Sequence, residues 1–193
     1  MDHALHITGD AAADELLSTD PLALLIGMLL DQQVAMETAF AGPLKIKERL
    51  GGLDAATLAE AEIERLTEVF RTPPAVHRYP GSMAGRTQAL CAYLLEHHGG
   101  DAAALWTAGE PDGAEVLRRL KELPGFGDQK ARIFLALLGK QCGLNADGWR
   151  EPAGAYGEEG ARRSVADIVD AGSLQEVRET KRAAKAAAKA KKA

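Results

Sequence analysis

The chain has 193 residues, 46% of them hydrophobic and only 5% aromatic, with a formal net charge of −5. That length suits one domain, or two small lobes sharing a cleft, and an Ala/Leu-rich, aromatic-poor composition favours helices over a sheet. No run of eighteen apolar residues is present, and the N-terminus lacks a basic segment followed by an apolar one, so the expected setting is the cytoplasm.

Taken in chain order, nearly every segment reads as helix. In "TDPLALLIGMLLDQQ", Asp20 suits an N-cap and Pro21 the first helical position, with Leu22, Leu25, Ile26, Leu29 and Leu30 at helical spacing. "METAFAGPLKIKERLGG" is expected to break at Gly42-Pro43 and end at Gly51-Gly52. "DAATLAEAEIERLTEVF" reads as one or two short helices, and "RTPPAVHRYPGS" as the clearest loop. "MAGRTQALCAYLLEHHGGD" is a long amphipathic helix stopped by Gly99-Gly100. "AEVLRRLKEL" and "DQKARIFLALLGKQ" flank the short turn Pro124-Gly125-Phe126-Gly127. The remainder is helix, broken once near Gly172, with residues 161–180 expected to pack on a body spanning 1–160. Residues 181–193 form a Lys/Ala tail carrying +6, which leaves residues 1–180 at −11. The tail reads as a helix continuing into a frayed end, and it suits loose phosphate attraction or simple solubility.

Two cysteines, Cys91 and Cys142, are too few for a four-cysteine iron–sulfur cluster or a Cys-rich zinc site, and buried thiols are expected. His97 and His98 are adjacent and so share no helix face, which makes them a poor metal pair. His77 falls in the proline-rich loop, where a surface position is the default.

The turn at 124–127 admits two readings. Proline and glycine stop one helix before the next, and many helix–helix turns look so. Alternatively, two bare glycines permit a tight turn and a close backbone approach, and the free amides at the next helix start form an anion site for one phosphate. Phe126 would then anchor the turn in the core and Lys130 add charge.

"LPGFGDQKA" resembles the helix-hairpin-helix signature Leu-Pro-Gly-apolar-Gly-x-x-x-Ala of the base-excision DNA glycosylases grouped with endonuclease III, adenine glycosylase and 3-methyladenine glycosylase. "LLIGMLLDQQVAMETA" is similar to the family's early helix, with Gln33 where a glutamine reaches the opened base-pair space. "PGSMAGRTQALCAYLL" resembles the loop and helix that supply a wedge and a basic residue, here Met83 or Ser82 and Arg86. The resemblance covers about residues 15 to 160. It implies an all-α, two-lobed fold that binds duplex DNA as a monomer through Gln33, Met83, Arg86, Pro124, Gly125, Phe126, Gly127, Gln129 and Lys130. The implied activity is hydrolysis of the N-glycosidic bond of a damaged or mispaired, flipped base. No cofactor is implied, a monovalent cation at the hairpin excepted.

The family's carboxylate lies about eighteen positions beyond the residue two past the second glycine. Counted from Gln129, that position is Asp147, where a carboxylate would stabilise positive charge developing on the sugar and orient a water. Its neighbours Ala146, Gly148 and Trp149 depart from the family's pattern, and Asp147 could equally cap a following helix. Asp31, beside Gln32-Gln33, is the second choice. Bifunctional relatives carry a lysine nucleophile where Gln129 stands. Lys130 is one residue later, about 100° around the helix, and would serve only in a bifunctional enzyme, so a monofunctional enzyme is expected. Trp149, Tyr79, Phe40 and Trp106 are candidates to stack on the base. A non-catalytic module with the same hairpin and a helical protein–protein adaptor stand as alternatives.

Overall fold

Asp20 does two jobs in the first few turns of this all-helical protein. It ends α1 (Ala11–Thr19) and caps α2 (Pro21–Leu30), its carboxylate accepting from the amides of Leu22 at 2.9 Å and Ala23 at 3.2 Å. The computed structural model describes residues 4–191, and no strand occurs among them. Residues 22–30 are all buried, and a helix apolar on every side belongs inside a fold.

α3 (Met36–Leu50) runs straight through Gly42-Pro43, against the expected break. Pro43 gives up one helix hydrogen bond. Interlocking with α2 explains why the helix persists. A Cβ on Gly27 would lie 2.6 Å from the Phe40 ring, and one on Gly42 would lie 2.6 Å from the Leu30 side chain. Each glycine is a socket for a large residue of the other helix, so the two backbones pack closely over the length that Pro43 would otherwise disrupt.

α4 (Ala55–Glu60) and α5 (Ile63–Arg71) pack on α6 (Pro80–His98), which ends at Gly99 with a left-handed φ of 61°. Pro80, Gly81 and Ser82, expected at the end of a loop, instead form the first turn of α6. After α7 (Ala104–Thr107), α8 (Gly113–Glu122) and α9 (Asp128–Gln141) form a helical hairpin. The chain then returns along α9 through α10 (Arg150–Ala153) and two 3₁₀ turns at Gly154–Tyr156 and Val165–Asp167. A buried pair ties this return to α9: Lys140 Nζ donates to Asp167 Oδ1 at 2.6 Å. Asp167 Oδ2 also accepts from the amides of Arg163 and Ser164, so the buried charge is fully engaged.

α11 (Ala171–Ala190) begins at the N-cap Asp170 and continues unbroken past residue 180 into the Lys/Ala stretch. Only Ser173 and Val177 of it are buried. Among the described residues, nearly all the buried apolar side chains join one continuous core. No helix among the described residues is long and apolar enough to cross a membrane.

Candidate nucleic-acid interface

The turn between α8 and α9 is built by division of labour. Leu123 ends α8 in an extended conformation and Phe126 N donates to its carbonyl at 3.0 Å, closing the turn around half-buried Pro124. Only one of the two glycines is left-handed: Gly125 has φ 85°, and a Cβ there would lie 2.6 Å from Leu29 Cδ1. It therefore lets the turn dock on the last turn of α2. Gly127 is the N-cap of α9, with φ −76° and open space where a Cβ would stand. Its bareness leaves the outer face of the turn free for another molecule. Phe126 is buried and meets Phe134 edge-on at 6.1 Å between ring centroids, as an anchor should.

No side chain caps α9, and the first backbone hydrogen bond of the helix is Ala131 N to Gly127 O. The amides before Ala131 thus point outward, as at any helix start, beside the positive end of the helix dipole. Asp128 stands at this start, but Lys121 at 3.0 Å and Arg132 at 2.8 Å flank its carboxylate and hold its pKa below the usual range, Arg132 contributing most. Its charge is therefore matched locally.

Lys130 turns away from the outer face. Its Nζ donates to the carbonyls of Met28 at 2.7 Å and Leu29 at 3.0 Å, capping the C-terminal end of α2. Burial pulls its pKa down to about 8, Arg86 pushing the same way and Asp31 opposing. Gln129, exposed on the outer side, donates to Tyr156 Oη at 2.8 Å.

Beyond α2 the chain makes a fixed turn. Gln32 is held on three sides: its Nε2 donates to Leu29 O at 2.8 Å, Arg86 Nη1 donates to its Oε1 at 2.8 Å, and the His77 ring bonds its carbonyl at 2.9 Å. Because Tyr79 N donates to His77 Nδ1 at 3.1 Å, Nε2 must carry the proton towards Gln32. His77, expected on the surface, is 1% exposed and acts as this internal brace. The next residue, Gln33, is exposed with φ 58°, a left-handed conformation that is rare for a residue with a side chain. Such strain at an exposed polar residue marks a candidate contact position.

Asp31, Gln33, Arg86, Lys130 and the 124–127 turn thus meet where α2 ends and α9 begins. Asp147 does not join them. Its backbone carbonyl accepts from Gly113 N at 2.9 Å, at the start of α8, the end opposite the hairpin. The helix rise over α9 puts that end roughly 20 Å from the turn. Asp147 is exposed at a cavity shared with Trp106, Glu110, Asp112 and Cys142. Nor does it cap α10, whose N-cap is Trp149 with no side-chain bond. Met83 is 2% exposed within the core, so it is no wedge, and Ser82 is the exposed residue of that pair. Among the four aromatic candidates, Phe40 and Trp106 are core residues, and Trp149 lies flat on Gly139 with Arg150 over its ring at 4.5 Å. Tyr79 alone is open, at 44% exposure, with Arg78 over its ring at 5.0 Å.

One participant escaped the reading of the sequence. Lys181 of α11 lies 3.8 Å from Asp31, and Arg178 pairs with Glu37 at the start of α3. The signal existed: Leu174, Val177, Lys181 and Ala184 recur at helical spacing, so Lys181 continues the inward stripe. Both cysteines are free, and burial pushes their thiols up to about 12. No cluster of three or more His, Cys, Asp or Glu among the described residues is placed to hold a metal. No protein-family model matches the chain, and none of the curated proteins matches it.

Proposed function

We propose that the chain is a helix-hairpin-helix DNA-binding protein of the base-excision glycosylase kind, with the two lobes of that fold meeting at the α2–α9 junction. The observation that carries the reading is the open face of Gly127 above unpaired amides, beside the exposed, left-handed Gln33. One backbone phosphate fits the amides, and contacts of that kind hold a duplex without reading its sequence. Gln33 occupies the space a flipped base leaves, and Arg86 stays within reach of the neighbouring backbone.

For the chemistry, the carboxylate at this junction is Asp31, which supersedes Asp147 as the first choice. A carboxylate there activates a water as the N-glycosidic bond breaks and stabilises the positive charge on the sugar. Lys130 is spent on the carbonyls of Met28 and Leu29, which supports base removal without an amine nucleophile. Excision assays over oxidised, alkylated, deaminated and mismatched bases test the reading with wild type, Asp31→Asn and Asp147→Asn. Loss confined to Asp31→Asn is the expected result. Loss confined to Asp147→Asn overturns the assignment of the carboxylate, and a covalent adduct trapped with borohydride overturns the monofunctional mechanism.

The position of Asp147 specifically favours a second reading, a DNA-binding module without chemistry. Duplex binding with no excision by any of the three proteins establishes it.

A further inference from the structure

α11 carries its cations on one face. At 100° per residue, Arg178, Lys181, Arg182, Lys185 and Lys189 fall within a sector of roughly 100°. Alanine occupies positions 183, 184, 186, 187, 188 and 190 around them. The orientation of this stripe is fixed at its root, where Arg178 pairs with Glu37 and Lys181 lies 3.8 Å from Asp31. It therefore starts two residues from Gln33, on the side of the molecule that presents the 124–127 turn. Arg182, Lys185 and Lys189 continue it along an exposed helix, and none has an acidic partner among the described residues.

We propose that Arg182, Lys185 and Lys189 form a phosphate-binding ridge on the same DNA duplex that the hairpin holds, an inference that rests on the DNA-binding reading above. Residues 182 to 189 span about 10 Å, or about three base-pair steps along one strand. The other faces of this part of the helix are alanine, with no large apolar side chain to enter a bilayer, so an anionic membrane is a poor match. The ridge contacts backbone only. It raises affinity on every sequence alike and makes binding steeply salt-dependent.

The experiment measures duplex affinity against salt for the full chain, for Arg182→Gln/Lys185→Gln/Lys189→Gln, and for Gly127→Ala. Glutamine is a good helix former, so the triple variant keeps α11. Each phosphate contact contributes about 0.9 to the slope of log K on log salt, so the triple variant is expected to lose about 2 to 3 from that slope. Between 50 and 200 mM salt this is a difference of about 40-fold in how much affinity falls. An unchanged slope overturns the ridge. If wild type binds and Gly127→Ala weakens it while the triple variant does not, the ridge fails and the hairpin reading stands. If wild type does not bind duplex at low salt, both fall. Binding to phosphatidylserine vesicles that the triple variant loses, with duplex binding unaffected, also overturns the proposal.

Discussion

Lys130 makes the stability of this protein depend on alkaline pH in a definite direction. Its ammonium is buried against the C-terminal carbonyls of α2, and its pKa falls from the ordinary 10.5 to about 8. Between those two values the unfolded chain holds a proton that the folded chain has released, so stability rises with pH across that window. Below pH 8 both states are charged and the folded protein bears the full cost of burial. At about 1.4 kcal/mol per pH unit the fall sets a ceiling of about 3 kcal/mol. Solvent still reaches part of the side chain, and about half of that is the expected size. Urea unfolding of wild type and Lys130→Met at pH 7, 8, 9 and 10 isolates the effect, because every other lysine titrates in both proteins. Wild type should gain on the variant by about 1 to 2 kcal/mol from pH 8 to 10. A difference that stays flat, or moves in the variant's favour, shows that Nζ is not buried at the end of α2.

The two glycines of the turn should separate fold from binding. Gly125→Ala forces a side chain into a left-handed φ against Leu29 and should cost about 1–3 kcal/mol of unfolding free energy. Gly127→Ala meets open space at an ordinary φ and should cost under about 1 kcal/mol while weakening duplex affinity in a filter-binding titration. Equal losses of stability at the two positions would contradict this division. Gly139→Ala places a Cβ 2.3 Å from the Trp149 ring and should destabilise by about 1–3 kcal/mol in thermal unfolding, with a change in Trp fluorescence. Gln33→Val should cost about 1–2 kcal/mol, because a β-branched side chain resists φ 58°, whereas Gln33→Gly should stay within about 1 kcal/mol of wild type.

The features legible in the sequence are those decided within a few residues. The Asp20-Pro21 cap, the left-handed Gly99 stop, the two short helices at 55–71 and the turn at 124–127 follow from local chemistry. Features decided across the fold were not legible. Pro43 stays inside α3 because Gly27 and Gly42 socket residues of the facing helix, and no window around Pro43 contains that pairing. The count from Gln129 fixes how far Asp147 lies along the chain but not the direction in which the chain returns. Trp149 settles that direction by lying against Gly139 and Gly113, which leaves Asp147 at the start of α8. At α11 a composition boundary concealed a periodicity. The change to Lys/Ala at residue 181 marks a tail, while the spacing from Leu174 carries Lys181 to Asp31.

The junction of α2 and α9 is costly to build if the turn is only a turn. Asp31 stands at the C-terminal end of α2, where the helix dipole opposes a negative charge. Two lysines counter it, Lys130 from α9 and Lys181 from α11, and the first of them bears a desolvation cost in that place. Gln33 sits in a disfavoured backbone region while Arg86 and His77 hold the residue before it. Gly127 leaves a bare face where almost any residue would fit the backbone. A plain connection between helices requires none of these four features. Each has a use if a phosphate lies on the amides and a base-pair gap opens in front of Gln33. Their meeting at one place, from residues some 150 positions apart in the chain, weighs for a binding face.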